Sequence, residues 1–333
     1  MSQVKSQLPT RAKSILVIGA GELGTAIIQA LTSHALYSPS STKITLMVRP
    51  SSLTNPSPEK VQQHTTLRNQ GINLVGADIE ASTQDELSNL FRPYTAIMHA
   101  GGMTSQPGTM LKVTQAVLSA EVEYYIPWQH GVNYDAITRR GGQGMFAEQI
   151  DVRDLLRSQT ATQWTIISCG IFMSFLFEEY WGVVVPLADG EVQVTALNSW
   201  DDMITTTTAE DIGRVTAGLV FDGTAPVNQP VYIAGDTLSY GQFADVVRRA
   251  TGRQVVRRVW PVEFLRDESR MDPGDKLKRY RVVFAEGVGL SWPLESTWSA
   301  RKGMRMVTVE EYVRDKFRWR CDTVGGRRGN NGE

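Results

Sequence analysis

Gly19, Gly21 and Gly24 are spaced G-x-G-x-x-G, directly after a β-rich apolar run at residues 14–19 and directly before an apolar-periodic stretch at 25–31 that reads as a helix. A strand turning through glycines into a helix is the context this spacing needs to hold a phosphate. Gly19 permits a tight turn, Gly21 the close approach of a pyrophosphate, and Gly24 the packing of helix on strand. Glu22 and Leu23 complete the loop, and the helix start offers unpaired N–H groups and the positive end of its dipole. The chemistry implied is dinucleotide binding; the alternative is a glycine-rich loop without a ligand.

The end of the second apolar run, at 43–48, selects the nucleotide. NAD binders place a carboxylate there to accept from the ribose hydroxyls. This chain has Arg49-Pro50-Ser51-Ser52 instead. A guanidinium grips a 2′-phosphate through paired hydrogen bonds, and Ser51 and Ser52 add donors. NADP(H) is therefore expected, against the alternative of a solvated loop arginine. Asp78, after a third run at 72–75, either accepts from the adenine amino group or caps the next turn. His99, Ala100 and Gly101 end a fourth run and line the pyrophosphate and nicotinamide-ribose side of the crevice. His99 itself sits among apolar residues and reads best as a buried histidine with its hydrogen bonds satisfied.

These residues must be positioned by the elements around them. Six apolar runs, at 14–19, 43–48, 72–75, 94–100, 124–126 and 163–168, alternate with helical patterns such as 109–120 and 148–158. The alternation predicts an α/β fold, a Rossmann-type doubly wound parallel sheet with a smaller, interleaved C-terminal substrate lobe. Residues 12–170 form the NADP-binding domain, with late strands returning from about 203–235, and 171–320 is mainly the substrate lobe. Residues 240–251 read as an amphipathic helix closed by Gly252. A last helix is expected at 308–317, with Thr308 and Glu311 at capping-box spacing. Residues 1–11 and 322–333 are expected to be disordered.

The 333 residues are 41% hydrophobic and 21% charged, enough for a sizeable core. A net charge of −1 offers no field to hold a polyanion, so no nucleic-acid partner is expected. No run approaches the ~18–20 apolar residues of a membrane span, and the N-terminus lacks the apolar segment of a secretory signal. A cytoplasmic location without membrane attachment is expected. Cys169 and Cys321 are too few for a disulfide framework or a cysteine-based zinc site. Asp201 and Asp202 have no histidine or third acid at useful spacing, so no metal is expected.

Residues 15–24 (ILVIGAGELG), 46–52 (LMVRPSS), 71–78, 120–131, 151–156 (DVRDLL), 169–175, 210–213 (EDIG) and 231–252, in this order, resemble the NmrA-like and isoflavone-reductase-like branch of the atypical short-chain dehydrogenases. The similarity extends over about residues 13–320. The segment 127–135 most resembles fungal members from secondary-metabolite pathways. The resemblance implies NADPH-dependent reduction of a small aromatic or polyketide-like substrate. It also implies a lysine on the helix after the fifth strand, shortly before a Val-Arg pair. Matching that pair to Val152-Arg153 puts Gln149 at the lysine's position, and no lysine occurs between Lys112 and Lys276. Tyr312 and Lys316 have the Tyr-x-x-x-Lys spacing of ordinary short-chain dehydrogenases, but they read as structural neighbours on a helix.

His130 and Tyr134 lie beyond the fifth strand, at the carboxyl edge where open α/β sheets bind ligands. Each is either a substitute proton-transfer group or a pocket-lining or turn residue. Gln149 cannot titrate but can orient a carbonyl. Trp128, Gln129, Met145, Phe172, Phe175 and Trp181 are the substrate-side candidates, the last four standing equally as apolar wall or plain core. The leading expectation is an NADPH-dependent oxidoreductase reducing a carbonyl or conjugated double bond. The missing lysine leaves open a redox-neutral isomerase, dehydratase or cyclase. A non-enzymatic regulator sensing the NADP+/NADPH ratio is the third reading. A small molecule is the expected partner, and a homodimer is compatible with each reading.

Overall fold

The computed structural model describes residues 12–102 and 105–317; the expectations for 1–11 and 322–333, and Cys321, lie outside them. The six apolar runs become β1 (Ser14–Ile18), β2 (Lys43–Val48), β3 (Asn73–Gly76), β4 (Ala96–His99), β5 (Tyr124–Ile126) and β6 (Gln163–Ser168). Between them run α1 (Glu22–Ser33), α2 (Pro50–Thr54), α3 (Pro58–Asn69), α4 (Gln84–Phe91), α5 (Thr109–Ser119), α6 (Tyr134–Ile137) and α7 (Ala147–Arg157). The later strands are β7 (Ile171–Phe172), β8 (Val184–Pro186), β9 (Val192–Leu197), β10 (Met203–Thr207), β11 (Gln229–Tyr232), β12 (Asp236–Ser239) and β13 (Val255–Trp260). The later helices include α8 (Met173–Leu176), α9 (Ala209–Phe221), α10 (Tyr240–Thr251), α11 (Val262–Met271) and α12 (Lys276–Glu286).

The chain divides into two compact units. The first comprises Met1–His130, Phe146–Ser168 and Ala209–Val231. Its seven-stranded sheet has the order β11-β6-β5-β4-β1-β2-β3, and the neighbours among β1 to β6 are parallel. Ile15, Leu16 and Val17 of β1 are fully buried, as a central strand covered by helices on both faces requires. The strand order reverses at β1, with β2 on one side and β4 on the other, and such a switch point opens a crevice at the carboxyl ends. Two backbone bonds fix the loops there: Gly19 donates to the Met47 carbonyl at 3.2 Å and Ala100 to the Ile18 carbonyl at 2.8 Å. Helix α1 buries Leu23, Ala26, Ile27, Ile28 and Leu31, each Leu or Ile contributing about 1.5–3 kcal/mol. It packs closely on α9, where a Cβ on Gly213 would come 2.6 Å from the Ala26 carbonyl oxygen.

The second unit comprises Gly131–Met145, Cys169–Thr208 and Tyr232–Glu333. Its sheets are β12-β10-β7 and β13-β9-β8. Of the expected late strands at 203–235, β11 joins the large sheet, whereas β10 does not. The threonines of β10 tie it elsewhere: Thr206 Oγ1 donates to the Ile171 carbonyl at 2.9 Å, and Thr205 and Thr237 share a hydroxyl bond of 2.8 Å. Helix α10 has the expected bounds, with a Ser239/Gln242 capping box and Gly252 left-handed at φ 67°. The expected helix at 308–317 forms its capping box and then widens into a π-turn at Val313–Phe317. No helix among the described residues is long and apolar enough to cross a membrane.

Candidate functional site

A cavity of about 690 Å³ lies at the carboxyl ends of β1, β2 and β3, wholly within the first unit. Of the expected nucleotide residues it gathers Gly19, Gly21, Arg49, Ser51, Ser52, Asp78 and Gly101. Gly19 has φ +104°, and a Cβ on it would lie 3.1 Å from the Gly101 nitrogen. A Cβ on Gly24 would lie 1.9 Å from the Gly19 carbonyl oxygen, whereas one on Gly21 would meet nothing within 4 Å. The glycines therefore divide the work: two allow close packing, and Gly21 leaves the cradle open. Glu22, Leu23, Gly24, His99 and Ala100 stay outside the lining. Leu23 and Gly24 are spent on burying α1, and His99 and Ala100 are buried at the end of β4.

Arg49 occupies the N-cap position of α2 without a side-chain cap bond, just before Pro50 in the first turn. The cavity also collects Asn55, Ser57, Lys60, Glu80 and Ser105, none of which stood out in the sequence. Lys60 sits on α3, whose buried residues are His64 and Leu67 alone, so no apolar period announces that helix. The signal that marks it is Ser57-Pro58, a cap followed by proline at the first turn; Ser57 indeed accepts from the Lys60 backbone N–H at 3.4 Å. Asp78 caps its turn: one carboxylate oxygen accepts from Glu80 N at 2.8 Å and Ala81 N at 3.2 Å. Those two bonds hold its carboxyl below the usual range. It lines the cavity as well, so capping and an adenine contact are not exclusive.

At the carboxyl ends of β4, β5 and β6 the first unit holds a second set of groups. His99 is fully buried and His130 is 6% exposed, and neither ring nitrogen of either finds a hydrogen-bond partner. The expected satisfied histidine at 99 is thus buried but not satisfied. Burial pushes His99 down to about 4, and the nearby Gly101 backbone opposes this without reaching hydrogen-bonding geometry. Burial also pushes His130 down to about 3, with a further contribution from His99. Both rings are neutral near pH 7, which makes them poor donors of a full proton. Gln149 is half-buried on α7, and its side-chain oxygen has no partner. Gln129 bridges instead: it accepts from the buried Arg153 Nε at 2.8 Å and donates to the Gln149 carbonyl at 2.7 Å. Glu148 serves a neighbouring helix, accepting from Leu111 N in the first turn of α5 at 3.0 Å. Trp128 packs against the apolar core cluster that holds Ile97, Trp164 and Ile166, and a Cβ on Gly102 would meet its ring at 3.0 Å.

The remaining candidates belong to the second unit. Tyr134 is buried at the start of α6, and a Cβ on Gly131 would lie 2.5 Å from its hydroxyl. Met145, Phe172 and Phe175 are half-buried. Trp181 is fully buried, 4.8 Å from the Phe175 ring and 5.5 Å from Phe284 by ring centroids. Tyr312 packs against Phe177 with the rings tilted and their centroids 5.4 Å apart, in keeping with a structural role. Among the described residues no group of three or more His, Cys, Asp or Glu is placed to hold a metal ion.

Comparison with known proteins bears on this geometry. A protein of Gibberella moniliformis described as an NmrA-like family domain-containing oxidoreductase is 43% identical over 304 residues, 91% of this chain and 97% of its own. Among solved structures, an isoflavone reductase matches with a TM-score of 0.72 at 16% identity, covering 91% of this chain and 99% of that one. The leucoanthocyanidin reductase–NADPH complex of Vitis vinifera matches at 0.71 and 18% identity, covering 90% and 97%. An NADPH-dependent quinone oxidoreductase of Escherichia coli in complex with NADPH matches at 0.68 and 20%, covering 91% and 99%. At these identities the structures establish the shared fold. The NmrA-like family model matches residues 11–313, and the chain belongs to that family.

Proposed function

We propose that the protein is an NADP(H)-dependent oxidoreductase that reduces a carbonyl or conjugated double bond of a small aromatic or polyketide-like molecule. The observation that carries this reading is a single cavity that joins the open face of Gly21 to two cations, Arg49 and Lys60. Any side chain at position 21 would fill the cradle, and the cations with the Ser51 and Ser52 hydroxyls match a phosphate's charge and acceptors. The residues present therefore fit the nucleotide. Gly19 and Gly21 would hold the pyrophosphate, and Arg49, Lys60, Ser51 and Ser52 the 2′-phosphate. Bound there, the nicotinamide supplies hydride from its C4. The chain's part is to bind, orient and exclude water. Gln149, which the resemblance sets at the lysine's position, has no proton to transfer, so substrate activation would come from hydrogen bonding rather than from a strong acid. The description of the Gibberella relative as an oxidoreductase supports the redox reading.

The same glutamine favours a second reading, a redox-neutral isomerisation, dehydration or cyclisation on the same fold; turnover that persists without nucleotide selects it. The test of the main reading is nucleotide affinity in Arg49→Ala and Lys60→Ala. Each removes a charged hydrogen bond worth roughly 1.5–3 kcal/mol, so NADPH should weaken about 10- to 150-fold and NADH less than about threefold. Equal losses for both nucleotides contradict the 2′-phosphate assignment.

A further inference from the structure

We propose that His99 and His130, with Ser168, form a recess that takes an uncharged oxygen of the substrate, a carbonyl or a phenolic hydroxyl, on neutral imidazole and hydroxyl groups. The inference rests on the oxidoreductase reading for its substrate class. Its physical basis is a concentration of unmet hydrogen bonds. Both nitrogens of both histidines and the Ser168 Oγ are buried without a partner, although native proteins satisfy the large majority of such atoms. A buried polar atom left alone is costly, so several at one sheet edge indicate an absent partner.

The sheet places them together. Side chains alternate between faces along a strand, so His99 shares a face with Ile97, and Ser168 shares one with Trp164 and Ile166. Ile97, Trp164 and Ile166 belong to one apolar cluster, which puts His99 and Ser168 on the same side of the sheet. They end β4 and β6, the strands flanking β5. His130 follows β5, near enough to His99 for a charge on one ring to oppose a charge on the other. Gln129, next to His130 in the same loop, is held by its bonds to Arg153 Nε and the Gln149 carbonyl.

The chemistry of the occupant follows. Burial keeps both imidazoles neutral. A carboxylate would have to be desolvated without a protonated imidazole to meet it. A ketone, enone or phenol brings a neutral acceptor or donor and loses nothing comparable. A neutral imidazole N–H can also polarise a carbonyl oxygen, a role that histidines of lowered pKa fill in other enzymes. Substrate activation would then come from hydrogen bonding rather than from a cationic acid.

The chain contains four histidines, so long-range proton–nitrogen spectra of the full chain labelled at histidine resolve each ring. The probes are acetophenone and benzoate, which share a ring and differ in charge, each added with and without NADPH at pH 7. The expected result is that acetophenone shifts the N–H signals of His99 or His130 while His34 and His64 stay still, and benzoate shifts neither. His130→Phe should weaken acetophenone about five- to tenfold. Recess signals that ignore acetophenone, or that respond to benzoate as strongly, overturn the proposal and leave the groups to bound water. The wild-type spectra decide this even if the variant does not fold. NADPH binding is read in a separate titration, so its failure would count against the nucleotide assignment and not against the recess.

Discussion

Gly21 and Gly24 are three residues apart in one motif, yet the geometry assigns them different tasks, and alanine at each should separate binding from stability. Gly21 has φ −80° and ψ −165°, an extended backbone that any residue adopts, and its added Cβ would meet nothing within 4 Å. Gly21→Ala should therefore leave stability within about 0.5 kcal/mol, as for an exposed substitution. The methyl group would nevertheless stand where a pyrophosphate approaches the helix start. Displacing the phosphates from those N–H groups forfeits charged hydrogen bonds of roughly 1.5–3 kcal/mol. NADPH and NADH affinities should fall together, by about 10- to 150-fold. Gly24→Ala is the opposite case. Its Cβ would lie 1.9 Å from the Gly19 carbonyl oxygen and 2.9 Å from the carbonyl carbon, both backbone atoms. The β1–α1 turn must move, and overpacking of this kind costs about 1–3 kcal/mol or more. For a chain of this size that lowers Tm by roughly 1–4 °C. Thermal unfolding and calorimetric titration of the two variants check the contrast. A Gly21→Ala protein that keeps wild-type NADPH affinity, or that unfolds as early as Gly24→Ala, would refute the assignment.

Other consequences follow from the same geometry. Gln129→Ala removes the acceptor of a buried guanidinium and a donor to the Gln149 carbonyl, so urea unfolding should show a loss of about 1–3 kcal/mol with NADPH affinity unchanged. The histidines give stability a pH dependence of definite sign. Their folded values, about 4 for His99 and about 3 for His130, lie below the ordinary 6.5. The stability they contribute is present above pH 6.5 and is lost as pH falls from there towards the folded values. Each adds a slope of up to ~1.4 kcal/mol per pH unit, and denaturant unfolding between pH 7 and 4.5 should show a shallower slope in His130→Phe.

The large sheet was legible because its strands are short apolar runs stopped by glycine, proline or a polar turn, and tertiary packing confirms rather than overrides that pattern. Helix α10 was legible to the residue, because an amphipathic period, a serine cap and Gly252 agree. The second unit was harder to read. Strands β9 and β13 alternate weakly, and β13 exposes Arg257, Arg258 and Val259 as an edge strand; α11 and α12 lack a wide apolar stripe. In the site, the glycine turn and Arg49 carried their own signals, since chemistry restricts what can stand there. Lys60 did not, because α3 is polar on nearly every side and only the fold brings it to the cavity. Gln129 was read as a substrate-side residue, and its bridge between α7 and the loop after β5 had no local signal. The unmet hydrogen bonds of His99, His130 and Ser168 depend on strand register, which no local pattern records.

We propose that the cavity at Gly21, Arg49 and Lys60 holds a 2′-phosphorylated dinucleotide. Calorimetric titration of the purified protein with NADPH, NADP+, NADH and NAD+, at one pH and one salt concentration, tests it directly. The prediction is that the two phosphorylated nucleotides bind at least about tenfold more tightly than their unphosphorylated counterparts, with NADPH the tightest. Equal affinity for NADPH and NADH, or binding of none of the four, would contradict it.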